Sequence, residues 1–189
     1  MGAVSELPAF GTLKAQAASE RPDLLAAPVA DAVRGWDPSS APELQVAEID
    51  PELADTAAFC EAYDIPLEIS ANCVIIAGRR GGESRYAACL VLATTRADVN
   101  GVVRRRLDAR KASFAPMDDA VAMTGMEYGG ITPFGLPADW PILIDERVAD
   151  SQAVVVGSGL RRSKLLVPGR SLTLLPGAEV VEGLAVPTA

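Results

Sequence analysis

Two apolar blocks set six residues apart place the strongest limit on how this chain folds. "NCVIIAG" (Asn72–Gly78) and "RYAACLVLAT" (Arg85–Thr94) flank "RRGGES", whose adjacent glycines give a tight turn its backbone freedom. Short apolar runs bounded by turn residues read as buried strands, and this spacing reads as a hairpin. "LQVAEID" (Leu44–Asp50) reads as a strand before it, followed by a helix with Asp50 as N-cap, Pro51 at its first position and apolar residues at helical spacing beyond. After the hairpin come a helix over "ADVNGVVRRRLDA" with Asp98 as cap, a short strand "KASFAP", and a helix "MDDAVAMTG" with acidic residues early and Gly125 as its stop. "WPILIDERV" and "AVVVGSG" read as strands, and the tail adds two short strands or a strand and a helical turn. Hairpin-like strand pairs interrupted by helices predict the α+β class, with a mixed, largely antiparallel β-sheet. A dinucleotide-binding fold is disfavoured, because no glycine-rich strand–helix turn is present.

At 189 residues the chain predicts one domain over 46–189, preceded by an irregular, partly helical extension over 1–45 that Pro22, Pro28 and the linker "DPSSAPE" interrupt. No apolar run approaches the roughly 20 residues that span a bilayer, and the N-terminus lacks the pattern of a secretory signal. Gly2 fails as a myristoylation site because Glu6 stands where that motif takes Ser or Thr. Cys60, Cys73 and Cys89 read as reduced core thiols, which fits a cytoplasmic protein.

The chain contains no histidine. Ser-His-Asp and Cys-His nucleophiles and the usual zinc sites are thereby excluded. Any catalysis must use carboxylates, Lys or Arg, hydroxyls, backbone dipoles or groups of the substrate. The net charge of −8 argues against general nucleic-acid binding. Its distribution is uneven: residues 1–71 hold three basic and thirteen acidic side chains, while residues 72–189 balance at +2. Basic clusters at Arg79–Arg85, Arg104–Lys111 and Arg161–Lys164 are either solvated faces or contacts for a phosphate-bearing partner.

"EYGGITPFGLP" (Glu127–Pro137) stands apart from these elements. Gly129–Gly130 permits positive φ and close backbone approach, and Pro133 removes a donor and pushes Thr132 to an extended conformation. Read alone, the stretch is a stiff connection between a helix and a strand. Its order in the chain adds to that reading. The Thr124–Gly125 helix end, "GGITPFG", the "ILIDE" strand (Ile142–Glu146) and the "VGSG" turn follow one another so that residues 46–185 resemble the YbaK/prolyl-tRNA-synthetase-associated editing domains, which are aminoacyl-tRNA deacylases.

The resemblance implies a partly closed mixed sheet flanked by helices and hydrolysis of the ester that joins a wrong amino acid to tRNA, an activity expected to need no metal and no organic cofactor. It implies a catalytic wall at Gly129, Gly130, Ile131, Thr132 and Pro133, whose backbone dipoles stabilise an oxyanion without a titratable side chain. Phe134, Asp145, Gly157, Ser158 and Gly159 become candidates for substrate binding. Asp145 either binds the substrate ammonium or opens an ordinary turn, and Ser158 either donates to substrate or only shapes a turn. The family commonly carries a lysine where this chain has Asn72, which offers only a neutral amide. Asn72 is still placed among the catalytic residues, with lost catalysis in a tRNA- or nucleotide-binding relative as the alternative. Arg104, Arg105, Arg161, Arg162 and Lys164 are expected to meet the acceptor end of tRNA. The acidic segment 1–45 is a candidate interaction arm or part of a homodimer interface.

Overall fold

A computed structural model describes residues 8–188; Gly2 and Glu6 lie outside them. In chain order the strands are β1 (Ala15–Ala17), β2 (Gln45–Glu48), β3 (Ala71–Arg80), β4 (Glu83–Leu92), β5 (Thr95–Ala97), β6 (Lys111–Phe114), β7 (Ile142–Asp145), β8 (Val154–Gly157), β9 (Ser163–Val167), β10 (Ala178–Val181) and β11 (Ala185–Pro187). The α-helices are α1 (Ala27–Arg34), α2 (Thr56–Tyr63), α3 (Arg104–Arg106), α4 (Met117–Thr124) and α5 (Glu146–Asp150).

The hairpin is the longest pairing: β3 and β4 run antiparallel from Ala71↔Leu92 to Arg80↔Glu83, and Gly81 and Gly82 turn it with positive φ. It forms the middle of a five-stranded sheet in the order β10-β7-β4-β3-β6, where β7 pairs parallel with β4 and with β10. A four-stranded antiparallel sheet, β1-β2-β9-β8, meets it at a parallel bridge between Ser70 and Val155. The architecture is mixed and largely antiparallel, with helices on its flanks.

Alternation along the strands builds three apolar layers. Ile75, Leu90, Ile144, Val154, Val156, Leu165 and Val167 face a main core shared by the two sheets. Val155 and Leu166 point the other way, onto Phe59 and Cys60 of α2. Ile76, Cys89 and Leu143 pack on the outer side of the larger sheet against Val103, Leu107 and Leu184. Strands covered on both faces read as unbroken apolar runs, which is why the hairpin blocks show no polar alternation.

Three local outcomes differ from the sequence pattern. Asp50 caps a short 3-10 turn, Pro51–Leu53, by accepting from the Glu52 N–H, and the helix proper starts only at Thr56. Asp98 does cap its segment, accepting from the N–H groups of Gly101 and Val102, but Val99–Val103 forms a π-helical turn before α3. The stretch before residue 45 contributes β1, which pairs with β2, and α1, whose Val29 and Val33 are buried in the main core.

Candidate active site

The edge of β3 changes partner along its length. β6 covers Ile76–Arg79, then leaves at Phe114, where Pro116 caps the start of α4. Among the described residues no strand pairs with that edge from Ala71 to Val74. A cleft of about 540 Å³ opens there, bounded by the Ala71–Ile75 strand, the start of α4, the loop Tyr128–Ile131, Gly157, Lys164 and the segment Ala54–Thr56.

Backbone contacts build the loop wall. Gly125 ends α4 at φ +67°, the left-handed conformation glycine adopts without strain. The Glu127 N–H then donates to Gly159 O at 2.8 Å, the Gly159 N–H to Gly130 O at 2.7 Å and the Gly130 N–H to Glu127 O at 3.0 Å. The loop is so close to the end of β8 that a Cβ on Gly157 would sit 2.5 Å from Gly130 O and 2.6 Å from Ile131 O. Among the described residues neither the Gly129 N–H nor the Ile131 N–H has a backbone acceptor. Both residues line the cleft. Free backbone donors on a rigid wall are suited to a developing negative charge.

The side chains opposite are few. Asn72 accepts at Oδ1 from the Thr56 hydroxyl at 2.9 Å. Cys73 reaches the cleft, and burial pushes its thiol well above the usual range, which disfavours the thiolate. Lys164, paired with Gly157 across β8 and β9, is 9 % exposed. Its Nζ donates to Ala54 O at 3.1 Å and lies 5.1 Å from the centre of the Phe59 ring. Burial lowers its pKa, and Arg161 adds to that, while Asp55 and Cys60 oppose it. Arg161 clamps the rim: it donates to Tyr128 O at 3.3 Å and to Pro51 O at 3.2 Å, and lies 3.6 Å from Asp55.

The cleft therefore brings together Asn72, Gly129, Ile131 and Gly157, with Gly130 directly behind the wall. Other expected residues lie away from it. Thr132 is buried, and its Oγ1 has no hydrogen-bond partner among the described residues. Pro133 borders a different, apolar cleft with Trp36 and Leu136. Phe134 is a core residue, edge-on to Trp36 with ring centres 5.8 Å apart. Asp145 is 1 % exposed and structural: it accepts from the N–H of Arg147 at the start of α5 and from the N–H of Ala185 on β11. Ser158 turns its buried hydroxyl to Ser163 Oγ, 2.6 Å away, and Gly159, at φ +87°, packs on Ala26 and Val29.

The basic residues divide as well. Lys164, expected to meet the acceptor end of tRNA, is buried and lines the cleft, because β9 places it between the apolar sheet and α2. Arg162 is exposed and donates to Asp23 O. Arg104 helps line a second cleft, of about 620 Å³, with Arg79, Arg110 and Lys111; Arg105 is exposed next to it in the chain.

Sequence reasoning passed over Thr56 and a rim of exposed apolar side chains: Phe114, Met117 and Tyr128 are 61 %, 51 % and 59 % exposed, and all three line the cleft. The signal available for Lys164 was its place inside the apolar run "SKLLV".

Comparison with solved structures agrees with this fold. A crystal structure of a protein proposed to be a trans-editing enzyme for prolyl tRNA synthetase superposes with a TM-score of 0.63 at 22 % identity, covering 74 % of this chain and 85 % of that one. A hypothetical protein gives 0.67 at 17 % identity, covering 76 % and 91 %. A protein from work on grafting linear epitopes onto scaffolds gives 0.66 at 22 % identity, covering 82 % and 97 %. No curated protein matches the chain. The aminoacyl-tRNA editing domain profile matches residues 50–174, which include every wall of the cleft. The chain belongs to the aminoacyl-tRNA editing domain family.

Proposed function

We propose that the protein hydrolyses the ester of a mischarged aminoacyl-tRNA in trans, in the cytoplasm, with a small amino acid such as Cys, Ala or Pro as the acyl group. The observation that carries this reading is the loop wall at Gly129–Ile131. Gly129 and Ile131, whose N–H groups have no backbone acceptor among the described residues, line a cleft that Lys164 also lines and that contains no histidine. Such a site activates an ester by stabilising charge on its carbonyl oxygen rather than by forming a covalent intermediate. A second site of this kind is needed because one binding pocket separates near-isosteric amino acids by only about 1–3 kcal/mol.

The rim supports a single-stranded RNA end as the carrier of the acyl group. Phe114 and Tyr128 offer exposed aromatic faces at the mouth of the cleft, and unpaired bases stack on such faces. Arg104 and Arg105 would meet the acceptor stem further along β3, and Arg161 and Arg162 would act from the opposite rim. Incubation with tRNAs charged with cysteine, alanine, serine or proline tests the proposal. Loss of the acyl group above the buffer rate is expected for at least one of them, and no gain for any would overturn it.

Asn72 favours a second reading, in which the domain binds tRNA or a nucleotide without turning it over. Here Asn72→Lys decides. Activity that appears only in the variant supports the binder, whereas activity already present in the wild-type chain rules the binder out.

A further inference from the structure

We propose that Lys164 is a catalytic residue of this cleft, its ammonium holding the carbonyl oxygen on which negative charge gathers as water attacks the ester. The inference rests on the deacylase reading and names the group that supplies the site's charge.

Lys164 sits within the apolar strand β9, and among the described residues its Nζ has one hydrogen bond, to a neutral carbonyl. Among the described residues no carboxylate lies within ion-pair distance of it. A buried ammonium without an anion is unfavourable in a resting protein and is typical of a site whose ligand brings the anion. Two further features point the same way. α2 begins at the cleft wall, and the side chain of its N-cap, Asp55, makes no capping hydrogen bond, so the first amides of that helix add positive potential. Gly129 and Ile131, whose N–H groups have no backbone acceptor among the described residues, line the same cavity. Cation, helix end and loop amides thus border one cavity; of its other polar neighbours Asn72 and Thr56 are neutral, and the Asp55 carboxylate lies 3.6 Å from Arg161.

The step balances without any other reactant. The oxygen of water bonds to the carbonyl carbon, and the carbonyl electron pair moves onto the oxygen held by Lys164. Collapse of this adduct breaks the bond to the ribose oxygen, which takes up the proton that water gave. The amino acid leaves as a carboxylate after losing its acid proton to solvent, and the tRNA keeps a free hydroxyl. Lys164 stays protonated throughout.

Steady-state deacylation by the full chain, on whichever misacylated tRNA it hydrolyses, tests the assignment. Lys164→Met and Lys164→Gln should each lower kcat about 100- to 1000-fold, the loss typical of one oxyanion donor. KM should stay within about threefold, and the melting temperature should not fall. A folded variant with kcat near the wild-type value overturns the proposal. So does a loss confined to KM, the result expected if Lys164 held an RNA phosphate in the ground state. If both neutral variants fail to fold, Lys164→Arg decides, because arginine keeps its charge at high pH. The alkaline fall in kcat must then disappear or move upward, and an unchanged fall overturns the assignment. If the wild-type chain hydrolyses no aminoacyl-tRNA, the deacylase reading has failed separately. Calorimetry with a phosphonate analogue of aminoacyl-adenosine, whose anion copies the oxyanion, then decides for Lys164. Binding at least tenfold weaker in Lys164→Met supports it, and equal binding or none by the wild type overturns it.

Discussion

Lys164 and Gly157 pair across β8 and β9 and both line the cleft, and the missing side chain of Gly157 leaves room for the loop. Each predicts a distinct phenotype. Burial holds the Lys164 pKa below its ordinary value of about 10.4, so the unfolded chain binds the proton more tightly than the folded one. Stability should therefore rise with pH between the folded and unfolded values. Turnover should fall over the same window as the ammonium is lost. Asp55, Cys60 and Arg161 are the groups facing it that set where the window begins. Denaturant titrations and kcat profiles, corrected for the alkaline lability of the ester, should move in opposite directions, and Lys164→Met should flatten the stability rise. Gly157→Ala acts by volume alone. Its methyl would press on Gly130 O and Ile131 O, displacing the loop at a cost of about 1–3 kcal/mol, read as a lower melting temperature together with a fall in kcat.

The unit β6–α4–loop borders the cleft. It ends β3's cover at Phe114, turns through α4, and returns as the Gly129–Ile131 wall. Three side chains of this unit form the exposed apolar rim. If a terminal base stacks there, Phe114→Ala and Tyr128→Ala should each raise KM about tenfold with little change in kcat, since stacking contributes roughly 1–3 kcal/mol per base. The hairpin, α4 with its glycine stop and the loop itself were legible in the sequence, because apolar run length, helical spacing and Gly/Pro chemistry are local signals. Lys164 was not. It follows Arg161 and Arg162 in the chain, so the local pattern reads as a solvated basic cluster. Its burial depends on β9 lying between β2 and β8 and on Phe59 arriving from α2, about a hundred residues earlier. Asp145 misled for the opposite reason: an acidic residue at a strand end looks available, and only the arrival of β11 shows that its carboxylate is already occupied.

At the scale of the molecule, opposite ends of β3 carry different tasks. Asn72 lies at the enclosed cleft, and Arg79 lies seven residues on, roughly 23 Å away at the rise of a strand, in the basic cleft with Arg104, Arg110 and Lys111. A polyanion docked on the basic end would extend toward the cleft along one strand edge, although the whole chain carries a net charge of −8. Replacing Arg110 and Lys111 together by Ala should weaken tRNA binding and reduce the slope of log K against log salt by about 0.7 for each phosphate that the pair neutralises. The N-terminal stretch belongs to the same body. Deleting residues 8–44 removes β1 and the buried Leu24, Val29 and Val33, and should abolish cooperative unfolding rather than trim a tail. The function turns on whether the cleft breaks an ester. With enzyme in excess over a tRNA labelled at its terminal nucleotide and charged with alanine, cysteine, serine or proline, the acylated terminal nucleotide should convert to the free one in a single exponential for at least one amino acid, more slowly in Gly157→Ala. Conversion at the buffer rate for all four would contradict the deacylase reading.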